Sequence, residues 1–199
     1  RSGLKPVLQK LVVPALKDTD ALVQRCAAEA LGNAPDFDFL APLLSLRQRV
    51  PKEDTHLLYV VRKSIRDHLN DGAIFGKVAN TKWSPWELNA LADVAVAVKS
   101  ERAGSFLNRH LSTLDLDRPT LTAALQHIAR YAPASELDSL GTFVKTKFAT
   151  DVDFQLALFN GVSSGAEQRG AKLSASLRDW GGELCARVRP LDPLDLFAR

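Results

Sequence analysis

The chain reads as an all-α protein, a right-handed α-α superhelix of about five antiparallel helix pairs stacked as a solenoid. Three observations carry this. Apolar residues recur at steps of three and four almost throughout, no segment alternates with the period of two that a half-buried strand requires, and clusters of capping and turn residues interrupt the pattern at regular intervals.

The first element follows from Leu4, Val7, Leu8, Leu11, Val12, Ala15 and Leu16, which fit the i, i+3, i+4, i+7 rule, with Lys5, Gln9, Lys10 and Lys17 on the remaining surface. Asp18-Thr19-Asp20 favours a turn and a helix start, and Leu22, Cys26, Ala30 and Leu31 resume the stripe. Gly32-Asn33-Ala34-Pro35 then ends the second helix: Gly or Asn can take a left-handed cap, and Pro cannot continue. Further helices are expected near residues 36 to 49, 53 to 70, 85 to 98, 100 to 114, 119 to 131, 135 to 149, 152 to 163 and 167 to 188, making about ten in all. In the last of these, Leu173, Leu177, Trp180, Leu184 and Val188 form the apolar stripe.

Trp83-Ser84-Pro85-Trp86-Glu87-Leu88 is the strongest local start signal. Ser84 is the cap, Pro85 occupies the first turn, Glu87 returns a hydrogen bond to the Ser84 amide, and Trp83 is placed to staple onto Leu88. A tryptophan pair this close also has the makings of a stacking platform, although capping already accounts for Trp83. Between Asn70-Asp71-Gly72 and Lys82 the period breaks at Gly72, Gly76 and Asn80 while Ile74, Phe75 and Val78 stay apolar. This segment is expected to be a long loop, with Ile74 and Phe75 either meeting a partner or plugging the side of the fold. The chain as a whole is expected to form one domain over residues 1 to 189, followed by a Pro-containing tail or linker at 190 to 199.

Asp18-Thr19-Asp20-Ala21-Leu22-Val23-Gln24-Arg25-Cys26-Ala27-Ala28-Glu29-Ala30-Leu31-Gly32 resembles the second half of a HEAT repeat, of the armadillo-type class, in which an Asp turn leads into Val-Arg, small residues and Ala-Leu-Gly. The small residues admit a neighbouring helix, and Gly32 is expected to open the exit turn. Gln24 stands where such repeats usually carry Arg, with Arg25 following it, so the usual Asp-Arg ladder is not implied. Val61-Arg62-Lys63-Ser64-Ile65-Arg66-Asp67-His68-Leu69 is a weaker copy, and after residue 71 only the helix-pair period persists. Residues 153 to 180, from Asp153-Phe154-Gln155 through Gly170-Ala171-Lys172-Leu173 to Trp180, also look like the end of the helical-repeat segment in large bacterial proteins that carry a sorbosone-dehydrogenase-like propeller and a c-type cytochrome domain. That likeness implies a spacer between redox parts of an exported or periplasmic protein; without it a cytoplasmic location is expected.

Composition bounds the function without naming it. With 46% hydrophobic and 25% charged residues the chain can build a core, and its net charge of +3 is too mild to argue for nucleic acid alone. It carries no methionine and begins at Arg1, as a segment of a longer polypeptide would, and no apolar stretch approaches a membrane span. Cys26 and Cys185 lack a second nearby thiol and are expected to be buried, small apolar groups.

The residues that carry chemistry elsewhere have plainer roles here. His56, His68, His110 and His127 fall on separate elements without metal-ligand spacing. No serine sits in a nucleophile elbow. Gly161-Val162-Ser163-Ser164-Gly165 lacks the preceding strand and closing Lys of a phosphate loop and is expected to be the turn between the last two helices. The pairs Asp36/Asp38, Asp115/Asp117 and Asp151/Asp153 precede helices, where carboxylates cap free amides. No catalytic residue, cofactor or metal is therefore assigned.

What remains is one charge feature: Arg47, Arg49, Lys52, Arg62, Lys63 and Arg66, six bases within 20 residues opposed by Glu53 and Asp54. Together with Ile74, Phe75 and Trp86 these residues make the candidate partner surface. The expected function is a non-catalytic interaction or spacer module contacting a protein or sister domains. The alternative is a nucleic-acid binder that grips phosphates through the basic patch around residues 47 to 66.

Overall fold

In the computed structural model, which describes residues 3 to 188, the chain is all-helical, with no strand among the described residues. The tail at 190 to 199 lies outside them. The first helix, α1, is α-helical at Leu4–Val7, widens to a π-turn at Leu8–Val12 and returns to α at Val13–Ala15. The widening falls just before Pro14, which has no N–H to give and whose ring would collide with the carbonyl four residues back. There follow α2 (Ala21–Gly32), α3 (Leu40–Arg49), α4 (Thr55–Leu69), α5 (Gly72–Asn80), α6 (Pro85–Ala95), α7 (Glu101–His110), α8 (Arg118–Tyr131), α9 (Asp138–Lys147), α10 (Val152–Gln168) and α11 (Ala175–Arg187). Short 3-10 turns at Phe37–Phe39 and Ala134–Glu136 lead into α3 and α9.

Most of the starts are made by the residues the sequence offers. Asp20, Asp54, Asp71, Asp117 and Asp151 each accept a first-turn amide, as does Asp36 at the 3-10 turn, and Ser84 and Glu87 form the reciprocal capping box of α6. Trp83 does more than flank that box: its Nε1–H donates to the Val78 carbonyl at 2.9 Å, closing the end of α5, and its ring lies beside Phe37.

The contacts group into two compact units that divide between Arg102 and Ala103. In the first, α2 packs on α4 and α3 packs on α4. Ala28 and Gly32 on α2 make room for Ser64, whose Oγ–H reaches the Ala28 carbonyl at 2.7 Å. Three pairs in this unit share one sequence separation. Lys5 meets Asp36, Arg25 meets His56 and Arg62 meets Asp93, each 31 residues apart. In the second unit α8 packs on α10, and α9 and α10 each pack on α11. Ser105 meets Glu136 at a separation of 31, Arg118 meets Asp151 at 33, and Arg130 meets Gln168 at 38.

The structure corrects several expectations. Residues 72 to 80 are helix, not loop: Asp71 caps Ala73 and Ile74, and burial of Ile74, Phe75 and Val78 outweighs the low helix propensity of Gly72 and Gly76. Gly161 and Gly165 lie inside α10, not in a turn, because both face α8, where Thr122, Gln126 and Ala129 leave no room for a larger residue. The break between α10 and α11 instead falls at residues 169 to 174, around Gly170, whose φ of +71° is the left-handed conformation glycine accepts most easily. Gly32 and Asn33 keep right-handed backbone, so Gly32 serves close packing on Ser64 and not an exit turn. Along α1 only Leu8 and Leu16 turn fully inward; Leu4, Val7 and Leu11 are exposed, as is Leu22 on α2. Cys26 and Cys185 are exposed as well, each on the outward side of a helix whose buried residues lie at other phases.

Candidate protein-interaction groove

Helix α4 separates two chemistries by its 3.6-residue period. Leu57, Val61, Ser64, Ile65 and His68 are buried, while Thr55, Leu58, Tyr59, Arg62, Lys63 and Arg66 follow one another along another face. Asp93, Val94 and Ala97, on α6 and the turn after it, form the opposite wall of a groove of about 410 Å³. Leu58 and Ala97 provide its apolar surface, with Val94 buried beneath. Tyr59, 63% exposed, stands free at its edge.

The bases of the sequence cluster do not act as one patch. Arg47, with a side chain only 14% exposed, reaches across from α3, donating to the Ala90 carbonyl at 2.6 Å and to Asp93 Oδ2 at 2.5 Å. Burial pulls its guanidinium below the usual arginine range, and Asp93 pulls the other way. Arg62 donates to the second oxygen of the same carboxylate at 2.9 Å. Farther along α4, Lys63 and Arg66 share Asp67, at 2.9 and 3.3 Å. Arg49 instead donates to the Ser45 and Leu16 carbonyls, and Lys52 sits exposed in the turn before α4; neither lines the groove.

The counter-ions of this cluster are thus Asp67 and Asp93, not Glu53 and Asp54; Asp54 is spent on capping α4 through the Leu57 amide. Ile74 and Phe75 are buried and offer no surface, whereas Trp86 is exposed on the first turn of α6 but does not line the groove. Tyr59 was findable from the sequence, since it precedes Arg62 by three residues on one helix face. The Asp93 wall was not, because it depends on which helix stands 31 residues along.

A second hollow, about 480 Å³, is lined by Leu4, Lys5, Leu8, Pro35, Asp36 and Asp71 among others. Its two acids are already engaged: Lys5 reaches Asp36 at 2.9 Å, and Asp71 accepts from the Ala73 and Ile74 amides. Among the described residues no group of three or more His, Cys, Asp or Glu is arranged to hold a metal ion, and no helix is long and apolar enough to cross a membrane. No protein-family model, curated protein or solved structure matches the chain.

Proposed function

We propose that this chain is a protein-interaction module of HEAT-like helix pairs, whose groove between α4 and α6 receives a segment of a partner protein. The observation that carries the reading is the exposed Tyr59 beside Arg62, Lys63 and Arg66 over an apolar surface of Leu58 and Ala97. Aromatic and arginine side chains around apolar ground are the composition of protein-binding hot spots. The HEAT-like motif at residues 18 to 32 and the recurrence of partners 31 residues apart in the first unit support the repeat architecture.

Nucleic-acid binding is the second reading, favoured by the same cations. It is weakened by their geometry: four of the six bases already share two carboxylates, which halves their net charge, and Arg49 and Lys52 do not line the groove, so the cations present no continuous row to a phosphate backbone.

Fluorescence anisotropy with two labelled probes separates the readings. One probe is a random glutamate-tyrosine copolymer, the other a single-stranded oligonucleotide, each titrated at low and at physiological salt. Saturable copolymer binding that Tyr59→Ala weakens at least about tenfold, the loss expected of a hot-spot residue, supports the protein groove. Oligonucleotide binding with a steep salt-dependent loss supports the second reading, and no binding of either probe rejects the groove.

A further inference from the structure

The groove's cations stand in two triads of the same stoichiometry. Arg47 and Arg62 share Asp93; Lys63 and Arg66 share Asp67. Each triad sets two positive charges against one negative and so keeps one positive charge in surplus. The triads differ in how firmly they are built. Asp93 is anchored by the nearly buried Arg47, so Arg62, whose side chain is 45% exposed, can turn to an incoming acid without orphaning that carboxylate. Asp67 has no buried anchor; both its partners line the groove and are about a third exposed.

Resting on the interaction reading above, we infer that Asp67 is an internal competitor occupying the place of a partner's carboxylate, and that the groove takes an acidic peptide segment. Two acidic side chains on the segment meet Arg62 at one triad and Lys63 with Arg66 at the other. An apolar residue flanking this acidic pair lies on Leu58 and Ala97. Arg62 and Arg66 are one helical turn apart, a spacing of about 5–6 Å that suits acids on neighbouring residues of the partner. In the free protein Asp67 holds Lys63 and Arg66 aside, so the partner binds only by displacing an acid already there. Asp67 thereby sets a threshold that rejects weakly acidic segments, a use of repulsion to achieve selectivity.

The test replaces Asp67 with Asn, which keeps the shape and removes the charge, and titrates the full chain with the labelled glutamate-tyrosine copolymer. Affinity is expected to rise about two- to fivefold over wild type, the value of an exposed carboxylate pair expressed as a binding ratio. Adding Lys63→Gln and Arg66→Gln to D67N should erase the gain. Asp67→Ser serves as a second variant should D67N melt early, and it should show the same rise. If wild type binds the copolymer and neither Asp67 variant binds it more tightly, the competitor role is overturned while the groove stands. If Asp67→Asn strengthens the oligonucleotide and leaves the copolymer unchanged, the acidic-peptide assignment is overturned. If wild type binds no copolymer, the interaction reading itself fails.

Discussion

Gly165 lies so close to the carbonyl oxygen of Gln126 that no β-carbon fits between them. One turn earlier, Gly161 faces Thr122, so a two-glycine strip on α10 lets α8 approach backbone to backbone, and Gln126 completes the seam by donating to Ser164 Oγ. Gly165→Ala must therefore push α8 away, and overpacking of this kind costs roughly 1–3 kcal/mol or more. Gly76 offers the opposite case. It lies inside α5 with open space where a β-carbon would go, so Gly76→Ala should stabilise by about 0.5–1 kcal/mol through helix propensity alone. Urea unfolding of both variants checks the pair. Equal effects would mean that the seam is not as tight as the distances say.

Asp93 should matter more to stability than Arg62, the exposed arm of its triad. Asp93→Asn leaves the Arg47 guanidinium, 14% exposed, without its carboxylate; a fully buried pair broken in this way loses about 3–5 kcal/mol, and partial exposure places this one nearer 2. Arg62→Ala removes only the exposed arm of the triad and should cost about 1 kcal/mol or less. Denaturant midpoints of the two variants at constant m-value give the comparison.

Local chemistry was readable from the chain, and distant pairing was not. Asp20, Asp117 and Asp151 cap where they were expected to, because a cap needs only its own next three residues. The same rule, had Asp71 been weighted above Gly72 and Gly76, would have started α5. Gly161 and Gly165 misled because glycine marks a turn and a close helix contact equally well, and only α8, some 40 residues earlier in sequence, decides between them. For the groove, Arg62, Lys63 and Arg66 were visible as a helix face. Their pairing with Asp67 and Asp93 was not legible there, because ion pairs form around the fold and not along the sequence.

Cys26 and Cys185 should react as surface thiols. Both residues are exposed in the folded chain, so a thiol-exchange reagent should label two groups per molecule without denaturant. Two slow phases that accelerate in urea would show instead that the sulfurs are covered.

His68 should make stability depend on pH in one direction. Its ring is fully buried against the edge of Phe39, and Nδ1–H donates to the Ser64 carbonyl at 2.8 Å, which leaves Nε2 as an acceptor with no hydrogen-bond partner. Burial holds the imidazole below the usual histidine range, opposed by that hydrogen bond and by Asp67; burial acts in the same sense on His110. The unfolded chain therefore binds protons that the folded chain refuses. The His68 contribution to stability is complete above the unfolded pKa of about 6.5 and falls as pH drops through that value toward the lower folded one, by up to about 1.4 kcal/mol per pH unit. Urea midpoints measured between neutral pH and pH 5 should fall accordingly. His68→Phe keeps an aromatic ring beside Phe39 without a titrating nitrogen, so its midpoint should change less over the same interval, with the residual slope left to His110 and the carboxylates. A variant slope equal to that of the wild type would show that His68 is protonated in the folded state as easily as in the unfolded one.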